Sequence, residues 1–174
     1  MSQPIENYIP QDFTERFRRQ AWKVWTISLL VVFAWVFVIL LAPIAKASGF
    51  ESLSATIYTF FSVICHQIDS RSFHVEDHKF AVCARCFGVY FGLFFGFLIY
   101  PLIRKVDEIE PLPRFWLFLS MIPIGIDWSL GVFGIWENTH LSRFLTGLIL
   151  GAACAIFIVP ALVEIFRYLK KTNK

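Results

Sequence analysis

The chain has 174 residues, of which 57% are hydrophobic and 18% aromatic, with twenty Phe and six Trp. Only 17% are charged and the net charge is +3, well under the usual quarter. A soluble domain of this length cannot bury so much apolar surface, and no basic stripe points to nucleic acid, so the composition is that of a membrane protein.

Taken in chain order, residues 11–21, "QDFTERFRRQA", read as a short amphipathic helix on the membrane surface. Asp12 can cap it, with Glu15 three residues later. Phe13, Phe17 and Ala21 fall on one side, and Arg16, Arg18 and Arg19 on another. The run from Trp22 to Leu41 carries only Lys23 and is long enough to cross a hydrocarbon core. It lacks a small-x-small cleavage pattern and reads as a retained span.

The next apolar stretch, "LSATIYTFFSVI" at 53–64, is too short to cross and suits a re-entrant or interfacial helix. A polar loop rich in Cys and His follows. "CFGVYFGLFFGFLIYPLI" (86–103), "FWLFLSMIPIGIDWSLGVFGIW" (115–136) and "FLTGLILGAACAIFIVPALVEIF" (144–166) each suffice for a span. Gly88, Gly92 and Gly96, and likewise Gly147, Gly151 and Ala155, recur every four residues. Such faces allow close helix approach in lipid, within a bundle or across a homodimer.

Four spans put the N-terminus, the 104–114 loop and the C-terminus on one side. That side holds Arg16, Arg18, Arg19, Lys23, Arg104, Lys105, Arg114, Arg167, Lys170, Lys171 and Lys174, against Lys46, Arg71, Lys79, Arg85 and Arg143 opposite. The excess makes it cytoplasmic. The expected protein is an all-α integral protein of the cytoplasmic membrane, in contact with membrane lipid, with both termini cytoplasmic. It has an amphipathic segment (1–23) and one membrane domain (24–174). The spans lie near 24–42, 84–103, 115–134 and 143–166, with the re-entrant or interfacial helix near 52–66.

The chemistry gathers in "ICHQIDSRSFHVEDHKFAVCARCFGVYFG" (64–92), on the outer side. Cys83 and Cys86 form a C-x-x-C at a helix start, where the helix dipole favours thiolates. With Cys65 they offer three thiolates, and His66, His74 or His78 can supply a fourth ligand, His66 first and His78 as the alternative. That donor set suits zinc. The same residues also suit thiol–disulfide exchange, with Cys65 resolving a Cys83–Cys86 pair, or a fixed disulfide. Cys154 sits alone in mid-span and reads as a packed small hydrophobe.

Asp127 lies inside a span, one turn after Pro123. A carboxylate there needs a partner facing the bundle interior, and Arg85 and Arg143 are the candidates. With Glu137 in the next outer loop, Asp127, Arg85 and Arg143 form a candidate catalytic cluster beside the metal, able to bind an anionic headgroup or activate water on a lipid-linked substrate. Alternatively Asp127 and an arginine lock the helices together, or Asp127 serves a small transporter.

"CHQIDSRSF", "VCARCFGVYFG", "PIGIDW" and "ENTHLSRFLTGLILG" together resemble a family of small bacterial and archaeal membrane proteins, domain-of-unknown-function family 2085. The resemblance runs from about Cys65 to Gly151. It singles out Cys65, His66, Gln67, Arg71, Ser72, Phe73, Cys83, Arg85, Cys86, Gly88, Tyr90, Asp127, Glu137, Arg143, Thr146 and Gly147, and implies no particular reaction. The family often has Glu-Ser-x-Asn where this chain reads Glu137-Asn138-Thr139-His140. Four spans with an outward C-x-x-C are also similar in layout to vitamin K epoxide reductases and bacterial disulfide-forming quinone reductases. Under the exchange reading, that layout implies a quinone cofactor.

Overall fold

The computed structural model describes residues 11–110 and 112–172. Residues 1–10 of the expected amphipathic segment, Pro111 and Lys174 lie outside that range, as do the side chains of Asp12, Phe13, Lys170 and Lys171.

Helix α1 runs unbroken over Gln11–Ala47. The amphipathic segment and the first span are therefore one helix, not two. No Gly or Pro interrupts the sequence before Pro43, so the polar first turns extend the apolar ones. At about 1.5 Å per residue the helix is roughly 55 Å long, well beyond a hydrocarbon core. It ends at Gly49, whose φ of +81° is left-handed. There the Phe50 and Gly49 N–H groups close back on Ala45 O at 2.8 Å and Lys46 O at 3.1 Å.

Helix α2, Glu51–Ser62, doubles back along α1. The Ser54 hydroxyl donates to Ala42 O at 2.9 Å, and Trp35 meets Phe61 edge-on with centroids 5.3 Å apart. This twelve-residue helix reaches only to the level of Trp35 and is not among the helices long and apolar enough to cross a membrane.

A loop with a 3-10 turn (Asp69–Arg71) leads to a hairpin of β1 (His74–Val75) and β2 (His78–Lys79). Glu76 and Asp77 at its tip both have positive φ, 48° and 63°. That is the mirror-image turn favoured by two-residue hairpins, usually built on Asn-Gly.

Helices α3 (Ala84–Ile103), α4 (Phe115–Val132) and α5 (His140–Thr172) complete the chain. Four helices, α1, α3, α4 and α5, are long and apolar enough to cross a membrane. The expected bounds shift most at α1 and at α5, which starts at His140.

The α3–α5 contact is the most extensive in the molecule. Gly88 lies against Phe144, Gly92 against Leu148 and Gly96 against Ala152 and Ala155. Both sets of numbers rise together, so α3 and α5 run parallel. In return Gly147 and Gly151 pack on Arg85, Val89 and Leu93 of α3. The two glycine seams are thus consumed by each other within one chain.

Helix α4 packs mainly on α5. Phe115, Trp116, Phe118, Met121, Ile122, Ile126 and Trp128 are exposed, an apolar surface that suits lipid and not water. The buried core has two parts. One, with Val36, Ile39, Phe61, Cys65, Val82 and Phe87, underlies the Cys/His loop. The other, with Ala21, Val24, Phe97, Tyr100, Val159 and Val163, lies at the opposite end of the bundle.

Candidate metal centre

The loop between α2 and α3 is held in shape by backbone and side-chain bonds around Gln67. This residue has a φ of 49°, in the left-handed region that non-glycine residues rarely occupy. Its amide nitrogen donates to Tyr58 O at 2.7 Å and Ala81 O at 2.8 Å. Its own carbonyl accepts from Lys79 Nζ at 2.8 Å, and the Tyr58 hydroxyl donates to Lys79 O. Gln67 therefore ties α2 to the segment leading into α3 through its side chain, and to the hairpin through its backbone carbonyl.

That brace brings Cys65 beside the start of α3. Cys83 is the N-cap residue of α3, and Cys86 follows one turn later on the same face. The sulfurs of Cys65, Cys83 and Cys86 all lie within 4.8 Å of one another. The Cys83 N–H donates to the Cys65 sulfur at 3.2 Å. Hydrogen bonds from the Cys83 and then the Cys86 side chain push the Cys65 thiol far below its usual range. All four cysteines are free, and Cys65 is 5% exposed.

The donor set fits a metal ion. Three sulfurs about 2.3 Å from one tetrahedral ion stand about 3.8 Å apart, within the 4.8 Å limit that encloses the group here. Among the described residues the group takes in no histidine. His66 is exposed and lines the same cavity, while His78 is half-buried in β2, outside the cavity lining. Neither ring joins the three sulfurs.

Beside the sulfurs is a cavity of about 240 Å³, lined by Cys65, Cys83, Cys86, Arg71, Arg85 and Arg143, among others. The Arg85 guanidinium donates to the Asp127 carboxylate, which joins α3 to α4. The two side chains are only 23% and 10% exposed. Of the two arginines expected beside Asp127, Arg85 makes this pair, and Arg143 makes no ion pair among the described residues.

Glu137 is exposed and outside the cavity lining. Its neighbour Asn138 turns inward, donating from its amide to Asp127 O and lying against Gly131. Asn138, expected in the outer loop on the cysteine face, and Arg71 are not among the residues of the expected metal and catalytic sets. Only the family resemblance, through its Arg-Ser-Phe block, pointed toward Arg71.

The Asp127–Arg85 pair carries a prediction. Asp127→Asn keeps the shape and removes the charge that offsets Arg85. It is expected to destabilise the protein by about 1–3 kcal/mol, read as a lower midpoint of thermal unfolding in detergent. An unchanged midpoint would show that solvent or lipid headgroups satisfy Arg85 as well.

The family described as predicted membrane proteins (DUF2085) matches residues 65–157. An uncharacterized protein of Methanocaldococcus jannaschii is 37% identical over 143 residues, covering 79% of this chain and 90% of that protein. An uncharacterized protein of Methanothermobacter thermautotrophicus is 36% identical over 96 residues, covering 55% of this chain and 85% of its own length. No solved structure matches the chain. The matched segment begins at Cys65 and takes in Cys83, Cys86, Arg85, Asp127 and Arg143, and the chain belongs to this family of predicted membrane proteins.

Proposed function

We propose that the chain is a zinc protein of the cytoplasmic membrane, with the ion held by Cys65, Cys83 and Cys86 on the outer face. Its fourth position opens on the arginine-lined cavity, where an anionic or lipid-linked substrate binds. The observation that carries this reading is the grouping of three sulfurs within 4.8 Å of one another in the wall of that cavity.

A zinc ion with three protein ligands supplies Lewis acidity to whatever takes its open position. The residues of the chain do the remaining work. Cys65 ties the α2 loop to the first turn of α3. Asp127 holds Arg85 at the edge of the cavity, and Asn138 braces the α4 backbone at Asp127. The absence of a histidine from the sulfur group supports an open position over a closed, purely structural site. The outer location is supported by the excess of Lys and Arg at the other end of the bundle.

Metal analysis of detergent-purified protein with its cysteines reduced tests the reading. About one equivalent of zinc per chain is expected. Less than about a tenth of an equivalent of any transition metal would overturn it.

One observation favours a second reading, thiol exchange: Cys65 lies close to both Cys83 and Cys86 while none is bonded. Oxidising two of these thiols to a disulfide would pass two electrons and two protons to a quinone. Thiol trapping before and after quinone addition would then show a loss of two free thiols. No change counts against exchange.

A further inference from the structure

Three guanidiniums line the small cavity beside the sulfurs, and only one has a carboxylate. Arg85 is paired with Asp127, yet its buried Nε still lacks a partner. Among the described residues Arg71 and Arg143 have no acidic partner. All three side chains line the same cavity of about 240 Å³. Like charges gathered in a half-enclosed space are unfavourable unless something negative joins them.

The backbone adds to the same field. Because α3 and α5 run parallel, both begin at this end of the bundle, and both present the positive ends of their dipoles. The α3 N-terminus has no side-chain cap bond. Arg143 sits in the first turn of α5.

The arginines are positioned and not merely present. Arg71 closes the 3-10 turn. The next residue, Ser72, is fully buried and donates its hydroxyl to Ile68 O at 2.9 Å. A His140 ring nitrogen lies 3.1 Å from Ser70 O, docking this turn on the start of α5.

We propose that Arg71 and Arg143, with Arg85 behind them, form a phosphate-binding subsite that presents a phosphate group to the cavity beside Cys65, Cys83 and Cys86. This extends the zinc reading and rests on it for the contact at the open coordination position. Guanidinium forks match the oxygens of phosphate in pairs. Arg85, held by Asp127, serves as a positioning residue through its field and its free Nε. The cavity opens at the end of the bundle where a lipid headgroup lies, so the group can arrive on a lipid or free in solution.

The test uses full-length, zinc-analysed protein in detergent, titrated with inorganic phosphate and followed by calorimetry. Saturable binding is expected. Arg143→Gln and Arg71→Gln should each weaken it roughly tenfold or more, the scale of one lost charge-assisted pair. Zinc content should stay at the wild-type level, and Arg143→Lys should recover part of the affinity. Arg114→Gln, at the other end of the bundle, should change nothing.

Wild-type protein that holds zinc but shows no saturable phosphate binding overturns the subsite and leaves the zinc reading intact. Arginine-dependent phosphate binding in protein that holds no zinc supports the subsite and overturns the zinc reading. If the glutamine variants lose zinc while phosphate affinity is unchanged, the arginines merely offset the thiolates and the subsite is overturned. Two further arms separate the sources. Displacement of bound phosphate by phosphatidic acid but not phosphatidylcholine, in mixed micelles, supports a lipid headgroup as the ligand. Displacement by neither, with phosphate binding still arginine-dependent, supports free phosphate.

Discussion

Cys65→Ser is expected to abolish stoichiometric zinc binding and to lower the unfolding midpoint of the purified protein. In the proposed zinc site Cys65 is one of three thiolates and the only one away from the start of α3, where Cys83 is the N-cap and Cys86 lies in the first turn, so its loss would untie the α2 loop from the helix start. A ligand bound only by the folded state stabilises it by about 4 kcal/mol when its concentration is a thousand times Kd. A loss of that order is therefore expected in the presence of zinc, shrinking after chelation. Cys154→Ala is the control, since Cys154 sits half-buried in α5 away from the group. It should retain zinc and lose less than about 1 kcal/mol. Equal effects of the two substitutions would contradict the assignment of Cys65 as a ligand.

Gly92→Leu should have the largest effect on the fold itself. A Cβ at Gly92 overlaps the backbone of Leu148, and backbone cannot rotate away as a side chain can. Overpacking in a tight interior typically costs about 1–3 kcal/mol. Here two whole helices must separate, so the upper end or beyond is expected. Gly125→Ala in α4 meets nothing within 4 Å and should be nearly neutral. The pair can be compared by thermal unfolding and by the fraction that stays monodisperse in detergent. Because Arg85 and Arg143 stand on the two helices joined by this seam, Gly92→Leu should also spread the cavity and weaken phosphate binding. A folded Gly92→Leu protein with normal stability would refute the account of α3–α5 packing.

Much of the fold could be read from residue pattern because lipid imposes simple rules. A span needs length and apolarity, and a half-length apolar run cannot cross, which is why α2 was distinguishable from α3. The C-x-x-C spacing placed Cys83 and Cys86 on one helical face without any tertiary knowledge. Other parts depended on long-range contacts. Nothing local to Gln67 announces a left-handed backbone, and its stability there comes from carbonyls of residues 58 and 81. The hairpin at 74–79 turns on Glu76-Asp77, which carries none of the usual Asn-Gly signal.

The glycine spacing showed that close packing would occur but not which helices would meet. Glu137 and Asn138 are adjacent, and only the geometry of the α4–α5 turn decides which one faces Asp127.

The half-length of α2 has a mechanical consequence. Near the cysteines the molecule is five helices across, with α1 to α5 side by side. Past Trp35 only four remain, and the stripe of α1 left uncovered by α2 opens into an apolar groove of about 750 Å³ between α1, α3 and α5. In a bilayer crossed by the four long helices, such a shape would act as a wedge, displacing more lipid from one leaflet than from the other by about the cross-section of a helix, roughly 10 Å wide. A bilayer that bends toward the narrow end, or that fills the notch with an acyl chain, relieves the mismatch.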